Sequence, residues 1–151
     1  MSSAIFGQTL LQRLNDGQTS TDPVVDTSKW TTLAEVISLS GPSMACEPVE
    51  VTSQDSVASS REFIPGYRDA GEVSADINFI PSNATQDGTD GLLDDFENSL
   101  KTSWAVIFNT SPKSFFLFSA FATGFDVTSP TDAQLTASIT LKLDGVLTMP
   151  T

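Results

Sequence analysis

Two segments of this chain alternate strictly between apolar and polar residues, and this feature restricts the possible folds most strongly. The segments are EVSADINF (residues 72–79) and QLTASITLKLDG (residues 134–145). Successive side chains of a strand point to opposite faces, so each segment is predicted to be a strand with one face on a core. The chain is therefore predicted to be mainly β, a β-sandwich or open barrel of antiparallel strands. The predicted core positions are Val73, Ala75, Ile77, Phe79, Leu135, Ala137, Ile139, Leu141 and Leu143.

Turn residues divide the rest of the chain into further predicted strands. Residues 30–40 and 43–51 are predicted to form a hairpin about Gly41-Pro42. Proline has no N–H to donate, so Pro48 indicates that the second of these strands lies at an edge or contains a bulge. The other predicted elements are a strand over 8–14 with a turn at Asp16-Gly17, a loop or flexible arm over 17–29, and paired strands over 101–109 and 114–126 that turn through 110–113.

One helix is predicted, over residues 91–102. Asp90 is a suitable N-cap. Apolar residues at helical spacing form one stripe that is expected to pack across the sheet: Leu92, Leu93, Phe96 and Leu100. Asp94 and Asp95 are predicted to lie on a solvated face rather than to act as an acid–base pair, because adjacent helical residues point apart.

Several kinds of chemistry lack the residues they need. The chain has no histidine, which excludes Ser–His and Cys–His dyads and histidine-ligated metals. It also has no glycine-rich phosphate loop, so we predict neither an enzyme nor a cofactor. The single cysteine, Cys46, excludes an internal disulfide and is predicted to be a small core residue.

No targeting segment is recognisable, and the most apolar run, residues 115–125, is shorter than the ~20 residues that span a bilayer. A soluble protein made in the cytoplasm is predicted.

Acidic residues outnumber basic ones by 19 to 7, which leaves a formal charge of −12. Such a charge disfavours a surface that binds phosphates, and solubility is its simplest explanation. Between Lys29 and Lys101, however, the only cations are Arg61 and Arg68. Both lie in a predicted loop, Gln54–Gly71, which is long for a hairpin connection and rich in residue types of interface cores. We predict that it forms contacts between subunits through Arg61, Glu62, Phe63, Ile64, Pro65, Gly66, Tyr67 and Arg68. The alternative is that the loop folds back over its own sheet.

Five segments then point to a known family. In chain order they are TLAEVISLSGPS, VEVTSQDS, REFIPGYRDAGEVSADINF, LLDDFENSLKTSWAVIF and FATGFDVTSPTDAQLTASITLKLDG. They resemble the major tail tube proteins of long, non-contractile-tailed bacteriophages, and GQTLLQRLNDG near the start is a weaker match. One departure is ACEP at residues 45–48, where relatives tend to carry hydroxyl or charged residues.

The resemblance implies a single tail tube domain over residues 1–151, without the extra C-terminal domain of some relatives. Its fold would be shared with the tube proteins of contractile tails and of type VI secretion. Six copies would close into a ring, and the rings would stack into the tube through which the genome leaves the virion. The loop over 54–71 would reach the neighbouring ring. The implied partners are further copies of the chain, the tape measure protein, the tail terminator and the tail tip proteins, with assembly in the host bacterial cytoplasm and a final location in the virion tail.

Genomic DNA would pass through such a tube without specific binding. A basic lining would hold the phosphates, whereas an acidic lining leaves the DNA mobile. The predicted acids of the channel are Glu47, Glu50, Glu72, Asp76 and Asp126, and the alternative is that they face outward.

The other class of function considered is a virion-surface or secreted β-sandwich binding module, such as an adhesin or a capsid decoration protein. That module would use Trp30 or Trp104, which are otherwise predicted to pack in the core.

Overall fold

The computed structural model describes residues 9–89, 91–110 and 112–149. Within these residues the chain forms nine strands and one α-helix, so the predicted mainly β fold is confirmed. The elements are β1 (Leu10–Leu14), β2 (Trp30–Thr32), β3 (Val36–Ser40), β4 (Ala45–Glu50), β5 (Phe63–Asp69), β6 (Glu72–Asn78), α1 (Leu92–Glu97), β7 (Thr102–Phe108), β8 (Ser114–Thr128) and β9 (Thr136–Thr148). Short 3-10 turns occupy Thr27–Lys29 and Val57–Ser59.

Seven strands form one antiparallel sheet in the order β2-β1-β7-β8-β9-β6-β3. The long strands β8 and β9 connect its two halves: the first half of β8 pairs with β7, and the first half of β9 pairs with β6. The β8–β9 register shifts between Leu117 and Ser119 and again between Ala122 and Gly124. Such irregularities bend a strand pair, and the sheet folds over itself as an open, sandwich-like barrel.

Side chains from both halves of the sheet meet in one core. The alternating faces of β6 and β9 are buried as predicted and pack against Leu11, Trp104 and Phe118 from the other half. Each large apolar side chain buried in this way contributes about 1.5–3 kcal/mol. Both tryptophans are buried, as predicted. The opposite faces of β6 and β9 are left to polar residues.

The predicted hairpin about Gly41-Pro42 is wrong. β3 pairs with β6, and β4 pairs with β5. Gly41 has a left-handed conformation (φ 105°) and passes so close to β6 that an added Cβ would lie 2.4 Å from the carbonyl oxygen of Glu72. The chain thus leaves the sheet at this turn instead of reversing along β3. The predicted irregularity at Pro48 is confirmed, because the β4–β5 register shifts between Cys46 and Pro48.

The other predicted strands are present. β7 and β8 pair antiparallel, with Phe108 opposite Ser114, and turn where predicted. β1 begins at Leu10; of the strand predicted over 8–14, Thr9 is not in a strand and Gln8 lies outside the described residues. Among the residues that the structure describes, no helix is long and apolar enough to cross a membrane.

The helix α1 is shorter than the predicted 91–102, and of its predicted apolar stripe Leu92 is buried in the core. The helix has six residues, and Asp95 is among its buried ones. Phe96 and Leu100 of the predicted apolar stripe are instead exposed. Asp90, the predicted N-cap, lies outside the described residues. The stripe therefore predicts a helix at the right place and the burial of Leu92, but not the exposure of Phe96 and Leu100.

Asp95 is buried because it forms an ion pair with Arg13 of β1. The guanidinium Nε and Nη2 atoms donate to its two carboxylate oxygens at 2.5 and 2.6 Å, and Asp95 is only 2% exposed. Burial raises the pKa of Asp95 above its ordinary value, although Arg13 opposes this shift. Two parallel hydrogen bonds compensate a buried carboxylate well. The pair attaches α1 to β1, and the prediction that Asp95 lies on a solvated face is wrong.

Candidate assembly surfaces

β4 and β5 form a separate two-stranded hairpin, residues 45–69, which we call the arm. Within the described residues these strands pair only with each other, and every one of their residues except Gly66 is exposed. Pro48 lies directly opposite Pro65 in this ladder. At Gly66 an added Cβ would lie 2.5 Å from the carbonyl oxygen of Glu47. An isolated hairpin with both faces in water is marginally stable at best, so the arm is suited to being covered by another molecule.

The arm replaces most of the predicted loop over 54–71. Arg61 and Glu62 lie in the connection between the two strands, whereas the other predicted contact residues are part of β5: Phe63, Ile64, Pro65, Gly66, Tyr67 and Arg68. The Pro-Gly dipeptide, which is typical of a turn, lies within β5 instead: Pro65 pairs with Pro48, and Gly66 lies at the register shift that follows. The alternative that this segment covers its own sheet is also wrong, because both arm strands are exposed.

Both faces of the arm expose apolar side chains. Tyr67 of β5 is 93% exposed, and Phe63, at the start of the same strand, is 52% exposed. Ile64 lies on the other face, opposite Val49, and both are about half exposed. Val57 adds a further exposed aliphatic group at the end of the arm. Exposed apolar patches of this kind mark sites of protein–protein contact.

Two cations on the arm have no ion-pair partner among the residues that the structure describes. Arg61 and Arg68 form no ion pair in the described part of the chain, a property that they share only with Lys113. The other four cations each pair with an aspartate: Arg13, Lys29, Lys101 and Lys142. In a chain of charge −12, two unpaired guanidinium groups on an exposed arm are available to carboxylates of another molecule.

The loop at the end of the arm is shaped by its own hydrogen bonds. The Ser56 hydroxyl donates to the Glu62 carboxylate at 3.0 Å, and the Glu62 backbone N–H donates to the Thr52 hydroxyl at 2.9 Å. Ala58 and Ser59 adopt left-handed conformations (φ 57° and 55°), each of which costs about 1–2 kcal/mol for a residue other than glycine. The loop therefore has a defined shape in the subunit, which reduces the ordering entropy lost on binding.

The root of the arm is fixed by a close backbone contact and an ion pair. At Gly71 (φ 80°) an added Cβ would lie 1.9 Å from the carbonyl oxygen of Ser43. Asp69 accepts hydrogen bonds from the Gly71 N–H at 2.8 Å and from the Lys142 Nζ at 2.9 Å, and these interactions lower the pKa of its carboxyl group. Sequence reasoning assigned no role to Lys142. Its place on the polar face of an alternating strand was the available signal.

A groove of about 390 Å³ lies between the root of the arm and the end of β9. Its lining includes Met44, Cys46, Arg68 and Val146. Cys46 is exposed, so its predicted place in the core is wrong. The reason is that β4 has no buried face at all.

Three of the five predicted channel acids share one face of the sheet. Asp76 of β6 lies opposite Ser138 of β9, and Ser138 lies opposite Asp126 of β8. Glu72 occupies the same face of β6, opposite Lys142. Since Lys142 is paired with Asp69 of the arm, the face formed by Glu72, Asp76 and Asp126 is acidic. We call it the acidic face.

Hydroxyl groups stabilise the charge of Asp76. Ser138 and Ser38, on the two neighbouring strands, donate to its carboxylate oxygens at 2.7 and 3.0 Å. These two hydrogen bonds lower the pKa of Asp76. The remaining two predicted channel acids, Glu47 and Glu50, lie on β4 of the arm, and the structure does not bring them to the acidic face.

Comparisons with known proteins agree with this architecture. The family model described as "Lambda phage tail tube protein, TTP" matches residues 13–150. A chain of the virion of a native gene transfer agent particle superposes with a TM-score of 0.73 at 18% identity, over 98% of this chain and 100% of that chain. The SPP1 tail tube gives 0.65 at 13% identity, over 97% and 78% of the two chains. The sheath–tube complex of the PVC extracellular contractile injection system gives 0.63 at 17% identity, over 97% and 91%. No curated protein sequence matches the chain.

Proposed function

The chain belongs to the lambda phage tail tube protein family, and from this premise we propose that its copies close into hexameric rings that stack into the tube of a virion tail. Membership of this family makes it a structural protein of the tail rather than a surface binding module. The proposal includes the absence of enzymatic activity. One observation supports stacking above all: the arm is exposed on both faces and carries aromatic side chains and unpaired arginines.

Attraction between subunits has to exceed the repulsion between copies that each carry −12. At cellular salt the Debye length is about 8 Å, so only nearby charges repel strongly. An interface of standard size buries ~1,600 Å² and is dominated by a few aromatic or arginine side chains. Tyr67, Phe63 and Arg61 are residues of these types. The terminal strands β2 and β3 also leave two edges of the sheet open within the described residues, and ring closure would cover them.

The acidic face is proposed to line the channel. Phosphates of passing DNA would be repelled by Asp76 and Glu72, and the single lysine in this row is occupied by Asp69. The genome would thus slide without being bound. The tape measure protein, the tail terminator and the tail tip proteins are the further proposed partners.

Replacement of Tyr67 by serine tests the role of the arm. The side chain is 93% exposed, so Tyr67→Ser should change the free energy of unfolding by less than ~0.5 kcal/mol. Loss of an anchor of an interface costs about 2 kcal/mol or more, which raises the subunit concentration needed for tube formation about 30-fold. Electron microscopy and sedimentation measure this concentration. Val25→Ser, at a position off the arm that is 75% exposed, is the matched control. Normal tubes of Tyr67→Ser at the parent concentration would refute the proposal.

A further inference from the structure

We infer that the arm of one copy docks on the opposite end of the sheet of a second copy, against the β8–β9 turn, with Arg61 facing Asp132. This inference rests on the proposed stacking function and specifies the surface that receives the arm. The receiving surface, which we call the turn end, comprises residues 79–80 and 127–135.

The strand register sets the positions of the arm and the turn end. The arm leaves the sheet next to Ser40 and Glu72, which are the last residue of β3 and the first of β6. The other end of β6, at Asn78, lies opposite Thr136, where the β8–β9 turn joins β9. Six residues of extended strand separate the two ends, a distance of about 20 Å. A contact between unlike ends of identical subunits is head-to-tail. Each added copy presents a new free end, so such contacts build a linear stack in which all copies have the same orientation.

Apolar side chains are exposed at the turn end, as they are on the arm. Val127 is 44% exposed and Ile80 is 39% exposed. Beneath them Phe79 and Phe125 form an edge-to-face pair with ring centroids 5.4 Å apart. This pair also packs against the main core, so the apolar surface at the turn end has a rigid base. It is a suitable counterpart for Phe63 and the other apolar side chains of the arm.

One charge on the arm and one at the turn end are of opposite sign and can pair across this contact. Asp132 lies in the exposed β8–β9 turn and forms no ion pair or hydrogen bond with the described residues. The turn, residues 129–135, contains no basic residue. Arg61, next to the end of the arm, likewise lacks an ion pair. An arginine on one surface and an aspartate on the other favour the head-to-tail register and disfavour contacts between two arms or between two turn ends.

Charge reversal tests this docking. Arg61→Glu and Asp132→Arg should each raise the concentration required for tube formation at least tenfold, because each places like charges in contact. The double variant restores an opposite pair and should assemble within about threefold of the parent. Glu97→Arg, a charge reversal on the exposed side of α1, should assemble as the parent does. Circular dichroism of each variant at low concentration verifies that the subunits are folded.

The outcomes separate the two proposals. Parent-like assembly of Asp132→Arg, or failure of the double variant to recover while Arg61→Glu is defective, would overturn the docking on the turn end and leave the role of the arm intact. Parent-like assembly of both Arg61→Glu and Tyr67→Ser would overturn the role of the arm itself.

Discussion

Substitution of Gly71 by alanine isolates the contribution of the root of the arm. Two effects act on this variant. Alanine pays about 1–2 kcal/mol in the left-handed conformation that Gly71 adopts, and it gains about 0.4–1 kcal/mol from a less flexible unfolded chain. In addition, the new Cβ would lie 1.9 Å from the carbonyl oxygen of Ser43. The two backbone segments must separate by about 1 Å to relieve this contact, and overpacking of this kind costs about 1–3 kcal/mol.

Gly17→Ala is the matched control, because Gly17 has a similar φ (73°) but no atom within 4 Å of an added Cβ. The conformational and unfolded-state effects are common to both variants, so the difference between them reports the contact with Ser43. We expect Gly71→Ala to lose about 1–3 kcal/mol more free energy of unfolding than Gly17→Ala. Urea titration of dilute subunits, followed by tryptophan fluorescence, measures both values.

The same pair of variants connects the root to assembly. Separation at Gly71 also disturbs its hydrogen bonds, in which the Gly71 N–H donates to Asp69 and the Leu143 N–H donates to the Gly71 carbonyl. The arm should then leave the sheet at a different angle, and Gly71→Ala should form fewer tubes than Gly17→Ala under conditions in which both are folded. Equal stability of the two variants, within about 0.5 kcal/mol, would refute the steric argument.

Two further predictions concern the acidic face and the buried ion pair. Glu72→Lys combined with Asp76→Lys should slow DNA release from reconstituted particles while tubes still form, because lysines on the channel wall bind phosphates. A DNA-binding dye measures the rate of release. Release at the parent rate would contradict the assignment of the acidic face to the channel. Asp95→Asn should lower the free energy of unfolding by about 3 kcal/mol, since it removes the buried carboxylate that faces the Arg13 guanidinium and leaves the exposed Asp16 as its only ion-pair partner among the described residues. Glu97→Gln on the exposed side of α1 should change that free energy by less than ~0.5 kcal/mol, and a loss for Asp95→Asn no larger than this would show that the pair is not coupled to folding.

The alternating segments predicted the buried faces of β6 and β9 correctly, because the face of a strand residue depends only on its position along that strand. Which strand a given strand pairs with is not determined by its local sequence in the same way. Gly41-Pro42 indicates a change of direction, but a hairpin turn and a departure from the sheet use the same residue types. The pairing of β3 with β6 depends on chain far from this turn, which is why the hairpin prediction failed.

The candidate site was predicted in part for related reasons. Aromatic and arginine residues in one exposed segment indicated a contact surface from composition alone. Pro65-Gly66 is typical of a turn, yet both residues lie within β5 because that strand has no core face that would impose alternation. The pair of Arg13 and Asp95 joins residues 82 positions apart, and no local pattern connects them.

The opposed prolines of the arm have a consequence for subunits that have not yet assembled. Two prolines cannot exchange the N–H bonds of a hydrogen-bonded pair, so the nitrogen atoms of Pro48 and Pro65 face the bare outer edges of the hairpin. A further strand that paired with either edge at this position would lack one N–H donor. Natural β proteins use prolines at edges in this way to limit fibril growth. Subunits that have not yet assembled are therefore less prone to pair through the edges of the arm at this position.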